Sequence, residues 1–219
     1  MIKRIILFTL ALSMMSFALA INPPQASAAG STWHYSFVGK GAEASFSDCN
    51  YWPVPAGTIC TDTYISVAEQ VYKDDGSTYP STTMWVSQYQ YKVDKKGNSI
   101  YVSDSWGSGE ASLSIDQKLS SATASATLQM TTCTVDRRGN YTCQENLVPV
   151  SATWTGFGDL VRTNSNSHTV SKGYTYNSHY KGTYREANAQ VNGLQVGAQW
   201  WASIYNSRWM DISVSHGAW

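Results

Sequence analysis

Charge is scarce in this chain. Lys, Arg, Asp and Glu make up 14% of 219 residues, against about 25% in an average globular protein. Fifteen basic residues balance 15 acidic ones, so the basic surface that nucleic acid demands is missing. Nor is there net charge to steer the chain toward acidic polymers or anionic lipid. Histidine is equally rare: His34, His168, His179 and His216 occur in no H-x-H or H-E-x-x-H arrangement, and neither a metal nor a cofactor is expected. No G-x-S-x-G marks a serine nucleophile; Gly107-Ser108-Gly109 reads as a turn. No C-x₂-C pair occurs, which sets a Cys₄ zinc site aside. Long stretches with the 3.6-residue helical period are also lacking.

Only one long apolar run exists, from Ile5 to about Ile21, behind the positive start Met1-Ile2-Lys3-Arg4. Pro23 and Pro24 break it, and the small residues Ala26-Ser27-Ala28-Ala29 follow. This is the layout of a secretory signal peptide with its cut after Ala28. Residues 1–28 are therefore expected to leave, and 29–219 to form a single domain of 191 residues with no membrane span. The leader carries only Lys3 and Arg4 as charged residues, which leaves 13 basic against 15 acidic, a net of −2.

Hydroxyl and aromatic residues fill the space that charge leaves, with 9 Trp and 14 Tyr. Period-two alternation recurs: Trp33, Tyr35 and Phe37; Ala42, Ala44 and Phe46; Ile65 and Val67; Trp85, Tyr89 and Tyr91; Ala122 through Met130 against Thr123, Ser125, Thr127 and Gln129; Val148 through Trp154. Such runs, parted by turn residues, predict an all-β, antiparallel β-sandwich. Trp33, Trp85 and Trp154 are expected in its core. Ser112–Leu119 is the one segment with room for a helical turn.

A turn used twice sets the local register. Val93-Asp-Lys-Lys-Gly-Asn98 and Val135-Asp-Arg-Arg-Gly-Asn140 fit a type I turn followed by a left-handed glycine, the three-residue hairpin loop. With Arg137-Arg138-Gly139 as the second loop, Val135 faces Tyr141 and Cys133 faces Cys143, within disulfide reach. Four cysteines in an exported chain read as two disulfides. The register pairs Cys133 with Cys143 and leaves Cys49 with Cys60.

The second half resembles uncharacterised secreted bacterial proteins of all-β type. The words that carry this are Ser151-Ala-Thr-Trp-Thr-Gly156, Tyr176-Asn-Ser-His-Tyr-Lys-Gly-Thr-Tyr-Arg-Glu-Ala187 and the strand near Asp211–His216. The resemblance implies an exported β domain and assigns no functional residue.

Candidate ligand-binding residues are Trp52, in the loop between Cys49 and Cys60, and Trp200-Trp201, whose indoles must point to opposite faces of a strand. His168 and His179 complete the set, on segments that can converge. Exposed indoles stack on sugar rings or anchor a protein. A non-catalytic binding module for cell wall, another glycan or a protein surface is thus the first expectation. A secreted hydrolase is the second, drawing on those histidines or on Asp48, Asp62, Asp104, Glu110, Asp159 and Glu186. A pore-forming hairpin at Ser120–Thr134 is the third. Asp74-Asp75-Gly76 lacks the rest of a calcium loop and reads as a turn.

Overall fold

A computed structural model describes residues 32–49, 51, 53–74, 77–136, 138–171 and 174–216. The expected leader, Trp52 and the Asp75-Gly76 turn lie outside the described residues. The strands are β1 (Thr32–Ser47), β2 (Ile59–Asp74), β3 (Ser77–Val93), β4 (Ser99–Ile115), β5 (Ser121–Val135), β6 (Tyr141–Ser171), β7 (Tyr174–Asn192) and β8 (Ala198–His216). Each pairs antiparallel with its neighbours in sequence, and β8 pairs back onto β1, so one sheet closes into a barrel.

The all-β, antiparallel, disulfide-bonded class is as expected, but two facing sheets are not what forms. Alternation is identical in a sandwich and in a barrel, since both hide one face of every strand. The difference lies in whether the last strand bonds to the first. It does here, from Thr32↔Ser215 to Ser47↔Ala198, which removes the exposed edges of an open sheet.

Inside, Ala42, Ala44, Ile65, Val67, Met84, Val86, Leu128, Val150, Trp154 and Ile204 make a continuous core. Eight strands enclose a lumen that side chains can fill, and small alanines opposite large residues suit that narrow space. Ala122 faces Trp154, and Ala44 faces Ile65. Trp154 is 1% exposed. Its Nε1 donates to the Glu43 carbonyl at 3.2 Å, so the buried indole keeps its hydrogen bond.

Both disulfides stand at one end of the barrel. Cys133 faces Cys143 in the predicted register, with Cα atoms 4.1 Å apart. Cys49 and Cys60 join across the β1–β2 loop, with Cα atoms 5.5 Å apart. The two related turns lie at the same end, each built alike. Asp94 accepts from the N–H of Lys96 and Asn98, and Asp136 from that of Arg138 and Asn140. Gly97 and Gly139 take φ of 82° and 84°, a region costly to residues bearing a Cβ.

The opposite end is open on one side. The β4–β5 hairpin stops at Ile115 and Ser121, while β6, β7, β8, β1 and β2 run on. The segment expected to allow a helical turn is strand to Ile115, followed by a tight turn. There Asp116 accepts from the N–H of Lys118, Ser120 and Ser121 at 2.8, 2.6 and 3.2 Å. This net holds Leu119 at φ 55°, rare for a bulky residue, and drives it into the core at 1% exposure.

Candidate functional site

Outward-facing positions divide the barrel wall into two chemistries. On β4, β5 and β6 they carry Ser112, Ser114, Thr123, Ser125, Thr127, Thr153 and Thr155, all exposed. Ser112 and Ser125 bond across the strands at 2.8 Å. On β8, β2, β3 and the start of β4 and β6 the outward positions are aromatic. Trp201 and Tyr64 lie on either side of Ser45 in the register, and the small serine lets their rings approach to 6.1 Å. Tyr64 then meets Trp85 at 5.7 Å. Toward the disulfide end Tyr89 contacts Tyr91 and Tyr101, each at 5.8 Å, and Tyr101 contacts Tyr141 at 6.1 Å. Trp106 faces Ser87, between the two groups of rings.

Trp85 is therefore not a core residue as the alternation suggested. It shares a face with Tyr89 and Tyr91, but that face is the outer one, and its ring rests on Tyr64. The side chain of Trp33 lies outside the described residues.

The upper part of this wall is packed, the lower part open. Glu43, 3% exposed on β1, accepts from Tyr64 Oη at 3.0 Å and from Ser203 Oγ at 3.2 Å. Burial first, and then the Glu43 charge, push the Tyr64 phenol well above its ordinary value. By contrast Tyr89, Trp106 and Tyr141 are 42, 40 and 70% exposed. Tyr101 donates to the Asp104 carboxylate; that bond and, after it, burial raise its phenol to about 12. Both cystines flank these rings, since Cys60 pairs with Tyr91, and Cys133 with Asp104, the carboxylate that Tyr101 holds.

The candidate residues fall in three places. Trp52 is outside the described residues. Trp200 sits where β8 bulges against β1, and its indole is 64% exposed; Trp201, on the opposite face, is partly buried. One indole of that pair thus faces water. His168 and His179 do converge, on β6 and β7 at the open end: Asn166 faces His179, and His168 faces Asn177. Each ring bonds an asparagine across the strands, His168 Nδ1 with Asn177 Oδ1 and His179 Nε2 with Asn164 Oδ1 at 2.9 Å. With Asp211 and Ser213 they line a polar hollow.

Of the six carboxylates, Asp62 and Asp104 approach one another, two strands apart with Tyr89 between. Asp48, Glu110, Asp159 and Glu186 face neither each other nor those two in the register. Among the described residues no three of His, Cys, Asp or Glu gather as a metal site.

The fold and its surface define a closed, disulfide-stapled antiparallel barrel with an aromatic wall. No protein-family model, curated protein or solved structure matches the chain.

Proposed function

We propose that this chain is an exported, non-catalytic module that binds polysaccharide along its aromatic wall. The observation that carries the reading is the exposed group Tyr89, Trp106 and Tyr141, with Tyr91 and Tyr101 beside them, on rigid strands stapled by two cystines. Aromatic faces set on a sheet stack on sugar rings with little ordering cost, because the rings are already held. Asp62 and Asp104 stand among them, on either side of Tyr89, and supply hydrogen-bonding groups for sugar hydroxyls.

Export is part of the proposal. The leader pattern and the two cystines support it. No described helix is long and apolar enough to cross a membrane. The pore reading is disfavoured by the polarity of β5, where Ala122, Ala124 and Leu128 face the core while Thr123, Ser125 and Thr127 face out. A lipid-facing barrel strand has the opposite arrangement.

The test is retention on insoluble cellulose, chitin and cell-wall peptidoglycan, each washed at moderate salt. We expect the chain to be held by at least one, and the Tyr89→Ala, Trp106→Ala, Tyr141→Ala triple variant to be released while still folded by circular dichroism. Retention on none of them, or equal retention of the triple variant, overturns the reading. Mass measurement of the protein recovered from the medium checks the expected cut after Ala28.

A further inference from the structure

Beyond the last core layer the inward-facing positions change character. On β7, Ala189 and Ala187 belong to the core, and the same face continues through Arg185, Thr183 and Lys181. On β6 it continues from Trp154 and Gly156, past the irregularity between Phe157 and Val161, to Arg162, which faces Thr183. Arg185 and Lys181 lie two positions either side of Thr183. In the register Thr183 thus has three cationic neighbours on one face: Arg162 directly across the strands, and Arg185 and Lys181 along its own. Diagonal neighbours of this kind sit about 7–8 Å apart, within reach of long side chains.

None of the three forms an ion pair among the described residues; the salt bridge Lys40–Glu69 lies away from them on β1 and β2, and Asp211, which faces His179, stands diagonal to Lys181. Arg185 is the telling member. Its side chain lies against Gly156, where an added Cβ would come within 2.8 Å of its Cδ and 2.1 Å of the Leu119 carbonyl. Its Nε is shut away from solvent and has no hydrogen-bond partner. A buried donor left unmade costs about 1–3 kcal/mol, more when charged, and native structures rarely tolerate one without a reason.

We infer that Arg162, Lys181 and Arg185 form an anion site at the open end of the barrel, taking a phosphate group. Three positive groups around a small hydroxyl residue suit a compact, multiply charged oxyanion with several acceptor atoms. Leu119 closes the floor behind Arg185, and the short β4–β5 hairpin leaves the entrance clear. This site is separate from the aromatic wall and stands or falls without it. It also concentrates positive charge in a chain whose residues 29–219 carry a net of −2, a feature that a count over the sequence averages away.

The phosphate could be free or carried on a sugar, and the experiment separates the two. The full chain is titrated calorimetrically with inorganic phosphate, with glucose 6-phosphate and with glucose, at fixed ionic strength. We expect saturable binding of one or both phosphates and none of glucose, weakening as salt rises. Arg162 and Lys181 are exposed, so Arg162→Gln and Lys181→Gln should fold normally and bind about tenfold more weakly, as loss of one charge-assisted contact implies. Lys95→Gln, in the turn at the other end, should bind as the parent does. Tighter binding of glucose 6-phosphate marks an esterified ligand, and tighter inorganic phosphate a free one. Absence of saturable binding to either, or unchanged binding in the Arg162→Gln, Lys181→Gln double variant, overturns the inference.

Discussion

The aromatic wall and the hydroxyl wall are cut from the same sheet, yet they relate to the core differently. On β5 and its neighbours Ser and Thr simply face water, and their bonds, such as Ser112 to Ser125, run between exposed groups. On β1, β2 and β8 the outward layer is itself packed: Tyr64 rests between Trp85 and Trp201 and covers Glu43. One wall is a surface; the other is a thin second core with a buried carboxylate under it. Substitutions should therefore cost stability on the second and almost none on the first.

The largest effect belongs to Tyr64→Ala. It removes a packed ring and takes a donor from buried Glu43, for a loss of about 3–5 kcal/mol by urea unfolding. Tyr64→Phe keeps the ring and loses only the donor, about 1–3 kcal/mol. Thr123→Ala and Thr153→Ala, on the hydroxyl wall, should stay within about 0.5 kcal/mol. Equal costs on both walls would erase the distinction.

Next come the staples. Cys133–Cys143 and Cys49–Cys60 close short loops, with separations of 10 and 11 residues. Replacing either pair by serine should cost roughly 2–3 kcal/mol. The losses should differ in kind. Without Cys133–Cys143 the hairpin keeps the Asp136 net and its register. The β1–β2 loop is held instead by bonds spread along it, among them Asp48 N–H to Thr61, Gly57 N–H to Val93 and Thr58 N–H to Pro55, with no single carboxylate gathering them. Faster amide exchange at Tyr91 after loss of Cys49–Cys60, with no change at Thr123, would locate the damage on the aromatic wall.

Much of this layout was legible in the residues. Asp-x-x-Gly-Asn fixes a turn by local chemistry, so the Cys133–Cys143 register followed by counting. Alternation gave strands and told one face from the other, but not which face was inner. Around its middle β3 has large apolar side chains on both faces, so alternation alone points Trp85 inward, whereas Met84 and Val86 take that side. Closure was beyond the sequence because it depends on β8 meeting β1 from the far end of the chain. The convergence of His168 and His179 was anticipated, since a hairpin brings its arms together. The cations around Thr183 were not, because an irregularity in β6 must be known before Arg162 can be placed opposite it.

The two walls also titrate in opposite directions, which gives the smallest effects and the sharpest contrast. On the aromatic side the Tyr101 phenol is raised from 10.0 to about 12, chiefly by its bond to Asp104. A proton held more tightly when folded stabilises the fold below pH 10, and that contribution is lost as pH climbs from 10 to 12. At the end of the hydroxyl wall Asp116 moves the other way, from 3.8 to about 2, because the Ser120 hydroxyl and the turn N–H groups hold its charged form. Its contribution is full above pH 4 and disappears as pH falls toward 2. Asp116→Asn should flatten the acid limb of the stability curve and leave the alkaline limb alone, while Asp104→Asn should do the reverse. Both groups are solvent-facing, so the changes will be modest; their separation on the pH axis is what reports two independent walls.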